Sequence, residues 1–353
     1  MTATDVLKAD LLERAGEVLE KDLSIRWEDI ELHLDRDRFS DLFTHIRMIF
    51  QREKPRSALE VGFPEFVEPF RGDPAKFISG TLEPYAEAFA LAQDYNKIEY
   101  MFDARTASLL RSLDQLDNKD WVPPLLLRLK QYSENREVDL NEFVGKLERL
   151  AYYLFVTRSD VNARMARYAD VLDQIDPRGE RPRRSTGLEL NDQEIRHFLD
   201  ELDAPVYLKS RVVKALLLRL DLALSDGSAV YDYTTISVEH VCPQTIEADS
   251  EWDNWFADRA THDYWLHRVA NLVLLTHRKN SSASNWDLCR KKSAYFVKDD
   301  ACPFLLTRQV LDVAEWTPDT LKNRQRELLR TLSRSWKIED GFNQWLVVRD
   351  GNA

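Results

Sequence analysis

The chain has 353 residues, 44% of them hydrophobic and 31% charged, which is enough for two packed domains and excludes a disordered polar chain. A net charge of −12 argues against a molecule that binds nucleic acid over its whole surface. No apolar run reaches the roughly 20 residues that a membrane helix requires.

Residues 1–176 read as successive helices, and only 10 glycines in the chain fit a mostly helical protein. The opening MTATDVLKADLLERAGEVLE lacks the apolar centre of a signal peptide, so no membrane partner and a cytoplasmic location are expected. DVLKADLLERAGEVLEKDL places Val6, Leu7, Leu11, Leu12, Ala15, Val18 and Leu19 on one side at helical spacing. Similar patterns run through RFSDLFTHIRMIFQ, LEPYAEAFALAQDY, PLLLRLKQY, LNEFVGKLERLAYYLFVTR and ARMARYADVLDQI, with Asp139 or Asn141 available as a cap. PRGERPRRSTG at 177–187 reads as a surface linker. The expected organisation is a helical scaffold at 1–176, a linker at 177–190 and a second domain at 191–353.

Helices resume with LNDQEIRHFLDEL, capped near Asn191 or Asp192, and with SRVVKALLLRLDLAL; Asp226-Gly227 then marks a turn. Beyond Gly227 the texture changes. TTISVEHVCP and RVANLVLLTH read as strands joined by a long connection, whose Trp252, Trp255 and Trp265 should pack it onto the small domain. NSSASNWDLCRKKSAYF starts as a polar loop and becomes a helix capped near Ser284 or Asn285, with Trp286, Cys289, Ser293 and Phe296 inward. TPDTLKNRQRELLRTLSRSW is a strongly amphipathic helix with Thr317 at the cap and Pro318 at the first helical position; Leu321, Leu328, Leu332 and Trp336 line its apolar side. The fold class is therefore mainly α, with a small α+β unit at about 228–298 closed by a C-terminal helix.

Charge is unevenly spread. Residues 259–298 hold eight Lys/Arg against two Asp, and 321–337 hold six against one Glu. Arg278, Lys279, Lys291, Lys292, Arg326 and Arg330 are the candidate contacts to a DNA backbone. Arg326, Arg330 and Arg334 have a rival reading as intrahelical pairs. Three cysteines (Cys242, Cys289 and Cys302) without CxxC spacing exclude a disulfide framework and a four-thiolate zinc site, and no GxxxxGK[ST] or GxGxxG is present.

The candidate chemistry lies in Glu239-His240, followed by Pro243-Gln244, by Asn271 31 residues after His240, and by Asn280 nine later. An imidazole suits proton abstraction from water near neutral pH. A carboxylate and an amide oxygen are adequate protein ligands for magnesium, which keeps several waters. His240 is thus the candidate base, and Glu239 and Asn280 are the candidate metal ligands. Asn271 either holds the imidazole tautomer or pins the loop that carries it. Asn285 is a rival ligand to Asn280, and His262, His267 and His277 lie nearby.

SVEHVCPQ, HRVANLVLLTHRKN and SNWDLCRKKSAYF resemble the C-terminal nuclease domain of the GmrSD-like restriction enzymes. These are modification-dependent type IV enzymes and their phosphorothioate-sensing relatives. Their HNH-like pattern runs EHxxPQ, NLxLL, N, and then K and Y on a helix. The resemblance implies a ββα-metal (HNH) endonuclease that uses Mg2+ (or Mn2+) to cut DNA into 5′ phosphate and 3′ hydroxyl ends, in antiphage defence. It assigns His240 as general base, Glu239 and Asn280 as ligands, and Asn271 as the orienting residue. Many HNH nucleases carry Asp in the place of Glu239 and His in that of Asn280. YLKSRVVKALLLRLDLAL and EWTPDTLKNRQRELLRTLSRSW resemble the family's flanking segments. TATDVLKADLL resembles the junction after a nucleotide-binding sensor, so an NTPase sensor module or partner subunit is expected besides DNA. The alternative is a helical DNA- or protein-binding module whose nuclease half idles without that sensor.

Overall fold

The computed structural model describes residues 3–53, 67–70, 72–177, 187–225, 236–276, 286–293 and 303–351. These residues are mainly helical and form two compact units. The first comprises Met1–Leu110, Asn118–Leu147 and Ser159–Glu189; the second comprises Arg111–Asp117, Glu148–Arg158 and Leu190–Ala353. The units interleave along the chain, whereas the sequence suggested one division at 177–190. Among the described residues no helix is long and apolar enough to cross a membrane.

In the first unit, Gly16 adopts φ 72°, a conformation that costs glycine little, and separates the helices Ala3–Glu13 and Glu17–Leu34. The apolar side read across this point is therefore broken. Leu7, Leu11 and Leu12 are buried, but Val18 is 91% exposed. Trp27 of the second helix packs on Phe39 and Phe43 of the helix Arg36–Gln51, with ring centroids 5.5 and 5.4 Å away. Asp139, rather than Asn141, supplies a cap to the helix Leu140–Val156, accepting from Glu142 N at 2.9 Å.

The second unit collects segments distant in sequence around buried polar groups. Glu148 and Arg219 form an ion pair with both side chains 1% exposed, and Glu148 also accepts from the Trp336 indole at 2.8 Å. The Tyr152 hydroxyl meets Ser112 Oγ at 2.7 Å and donates to Ala215 O at 3.3 Å. The helix Asp192–Leu202 starts with a full capping box between Asn191 and Glu194. The helix Pro318–Ser335 starts with Thr317 accepting from Thr320 N and Pro318 in its first turn, as its sequence demands.

Strand β1 (Ile236–His240) pairs antiparallel with strand β2 (Leu272–Thr276), placing His240 opposite Leu272 and Glu239 opposite Val273. Leu272–Leu275 are buried on both faces, which explains the unbroken apolar run in β2. The connection holds the helices Glu251–Trp255 and Arg259–Leu266 and a 3-10 turn at Val269–Asn271. Asn271 thus lies in a turn just before β2. Trp252 and Phe256 anchor the connection in a core with Val241, Val273, Leu275, Leu288 and Trp316, against which Trp255 and Trp265 also pack.

The short helix Leu288–Lys291 has Asp287 at its N-cap position, without a side-chain capping bond; Ser284 and Asn285 lie outside the described residues. The Glu251 carboxylate accepts from its first backbone N–H, at Leu288. Leu288 and Lys291 form its buried face, while Cys289 and Ser293 are exposed. Trp286 packs against the core as read, but the inward face of the helix itself is offset from Cys289 and Ser293, because tertiary burial selects Leu288 and Lys291. Phe296 and Cys302 lie outside the described residues.

Candidate active site

Strand pairing ends at His240, and the chain then turns through Cys242, Pro243 and Gln244. Asn271 fastens this turn. Its Oδ1 accepts from Cys242 N at 2.8 Å and from Trp316 Nε1 at 3.0 Å; its Nδ2 donates to Cys242 O at 3.1 Å and Leu266 O at 3.0 Å. The amide is wholly buried and its hydrogen bonds are used there. Of the two roles open in sequence, this geometry matches pinning the loop, and none of these bonds goes to the His240 ring. His262 adds a second fastening: its Nε2 donates to Pro243 O at 3.0 Å.

The His240 side chain is buried, at 5% exposure. Its Nε2 lies 3.2 Å from His267 Nδ1, and its Nδ1 lies 3.4 Å from the amide nitrogen of Gln244, an exposed residue. Burial, reinforced by His267, Lys291 and His262, pushes its pKa from 6.5 down to about 3. The imidazole is therefore neutral at physiological pH.

Glu239 is half-buried, and its carboxylate stands 3.5 Å from the Lys291 ammonium. Burial raises its pKa above the ordinary carboxylate value, although Lys291 pulls it the other way. Lys291 also donates to His240 O and Val241 O, both at 2.9 Å, and is 1% exposed. It was read as a DNA-backbone contact. The structure instead turns it inward, because the main-chain carbonyls at the end of β1 and the Glu239 carboxylate supply acceptors there. Burial lowers its pKa, against the opposing pull of Glu239.

The other candidate phosphate contacts are dispersed. Lys292 is half-buried and donates to Val313 O. Arg326 pairs with Asp350, and Arg330 pairs with Glu327 three residues before it. For Arg330 this is the intrahelical pairing that the sequence also allowed. Arg278, Lys279, His277 and the candidate ligand Asn280 lie outside the described residues. Cys242 offers no nucleophile, since burial pushes its thiol up to about 12.

Sequence reasoning missed two positioning features. His267 and Tyr207 stack with ring centroids 5.4 Å apart and planes at 9°, and Tyr207 also lies 4.1 Å from the His240 ring. The helix Pro318–Ser335 holds the turn before β2, with Gln325 Oε1 accepting from Ala270 N at 2.8 Å and Arg324 Nε donating to Ala270 O at 3.0 Å. The HRVAN spelling, with His267 four residues before Asn271, was the one available hint.

Among the described residues no three His, Cys, Asp or Glu side chains converge as a metal cage. A His/Cys zinc centre would need such a group. The arrangement is compatible with a magnesium-type cation that takes one or two oxygen ligands from protein and keeps its waters. Glu239 fits such a cation: burial raises its pKa, and a divalent charge beside it would favour the carboxylate as Lys291 does.

No curated protein matches the chain. Residues 191–331 match the family model described as GmrSD restriction endonucleases, C-terminal domain. The match includes β1, β2, His240, His267, Asn271, Lys291 and most of the helix Pro318–Ser335. Residues 191–331 of this chain are therefore similar to the C-terminal domain of the GmrSD restriction endonucleases.

Proposed function

We propose that the second unit is the nuclease of a restriction system and hydrolyses DNA phosphodiesters in a ββα-metal (HNH) site. The observation that carries this reading is the neutral, buried imidazole of His240 at the end of β1, adjacent in sequence to the half-buried Glu239 carboxylate. The matched family supports the reaction class.

His240 takes a proton from a water molecule whose oxygen attacks phosphorus. The P–O3′ bond breaks, leaving a 5′ phosphate and a 3′ hydroxyl. Glu239, with Asn280, would hold Mg2+ or Mn2+, and that cation would offset negative charge at the departing oxygen. Asn271 and His262 keep the turn after β1 closed, so that His240 does not swing away. Lys291 ties the main chain of His240 to the Glu239 carboxylate. A pKa of about 3 makes His240 a weak base in the free protein; an anionic phosphate beside it would raise that value. Direction of cutting by a separate NTP-hydrolysing sensor, a role in antiphage defence and a cytoplasmic location belong to the same reading.

The test is supercoiled plasmid incubated with the chain in Mg2+, Mn2+ or EDTA, beside His240→Ala. The wild type should cleave with either metal and stop in EDTA, and the variant should lose on the order of 10²–10⁴ in rate. Cleavage by His240→Ala at the wild-type rate would reject the base assignment.

A further inference from the structure

A histidine that draws a proton from water needs one ring nitrogen free and its ring held in one tautomer. The bonds that Asn271 makes do not reach the His240 ring. The group that does reach it is His267, the residue that closes the helix Arg259–Leu266. Resting on the reading of His240 as base, we propose that His267 is the positioning residue of this site: its Nδ1 accepts the Nε2–H of His240 and so keeps the Nδ1 lone pair of His240 free for water.

The rings stand 65° apart with 3.2 Å between Nε2 of His240 and Nδ1 of His267. His267 is itself clamped: its ring stacks on Tyr207 at 9°, and its carbonyl accepts the Tyr207 N–H at 3.0 Å. Tyr207 sits in the 3-10 turn Val206–Leu208 and touches both imidazoles, so three rings restrain one another. On the opposite edge of His240, Gln244 makes a long 3.4 Å contact from an exposed position, one that water can replace. With the Gln244 amide nitrogen as donor, only the Nε2–H tautomer of His240 satisfies both contacts. When Nδ1 takes its proton, the Nε2–H bond to His267 is retained, so the protonated ring keeps its orientation.

Two variants of the full chain separate this role from simple packing. His267→Phe keeps a ring against Tyr207 and removes the acceptor, while His267→Asn returns an acceptor near the position of Nδ1. The readouts are the ring-nitrogen NMR signals of His240 and plasmid cleavage in Mg2+. The wild type should show the Nε2–H tautomer. His267→Phe should mix tautomers and lower kcat by about 10–100-fold with KM within about twofold, and His267→Asn should recover most of that loss. An Nδ1–H tautomer in the wild type, or a His267→Phe protein with unchanged tautomer and kcat, would overturn the proposal. Wild-type cleavage by His240→Ala would sink the base reading instead, and the NMR measurement would still decide whether the hydrogen bond between the two histidines exists.

Discussion

Lys291 shows how a single charge can be misread from its neighbours. It stands in an Arg-Lys-Lys run, a pattern that on most helices faces water. Here its position three residues after Leu288 puts it on the buried side of the helix Leu288–Lys291. Two carbonyl oxygens and the Glu239 carboxylate replace the water it loses, which is what permits a buried ammonium. Lys291→Met keeps the aliphatic stem and removes the donor, stranding His240 O and Val241 O. The expected cost is about 2–4 kcal/mol, seen as a lower urea midpoint at constant slope. An unchanged midpoint would show that the ammonium contributes nothing net. His267 posed the opposite difficulty: its residue type was visible, but its partner lies 27 positions away, and no local pattern links the two.

At the scale of elements, the helix Pro318–Ser335 acts as a clasp on the turn Val269–Asn271. Arg324, buried and with its pKa lowered by that burial to about 10, donates to Ala270 O, Leu306 O and Gln309 Oε1. Thr307 closes the free edge of β2, its hydroxyl donating to Leu274 O at 2.6 Å and accepting from Leu274 N at 3.1 Å. An exposed strand edge would otherwise invite pairing with another chain. Arg324→Met should cost about 2–3 kcal/mol through the carbonyls it leaves unbonded. It should also speed hydrogen exchange at the Val241 and Cys242 amides, which are held by Asn271 of the clasped turn. Wild-type protection at those two amides would refute the link between helix and turn. The helix itself was legible, from Thr317-Pro318 and its apolar spacing; its clasping role was not, because Arg324 and Gln325 look like ordinary polar positions.

Across the whole molecule, two histidines make stability depend on pH, one in each unit. His240 falls to about 3 and His45, packed on Phe89, to about 4, in both cases chiefly through burial. The unfolded chain takes up these protons near 6.5 and the folded chain resists them, so stability is full above 6.5 and declines as pH falls towards the folded values. Each histidine should contribute a slope of up to about 1.4 kcal/mol per pH unit in that window. Glu239, with its raised pKa, works in the opposite sense just above 4.5. Urea midpoints between pH 7.5 and 4.5 should therefore fall more steeply for the wild type than for His240→Asn or His45→Phe in the transition of the unit concerned. Parallel curves would rule out the buried neutral histidines as the cause.

Sequence alone determined the helical class, the strand pair, the capped helices at Asn191 and Thr317, and the Glu239-His240 dipeptide. Each depends on periodicity or on residues close in the chain, where local sterics and hydrogen bonding dominate. Only the tertiary structure decided that residues 111–117 and 148–158 join the second unit, that Lys291 turns inward, and that His267 rather than Asn271 meets the His240 imidazole. Those outcomes depend on which buried polar groups find partners across tens or hundreds of residues, and that is settled when the chain packs.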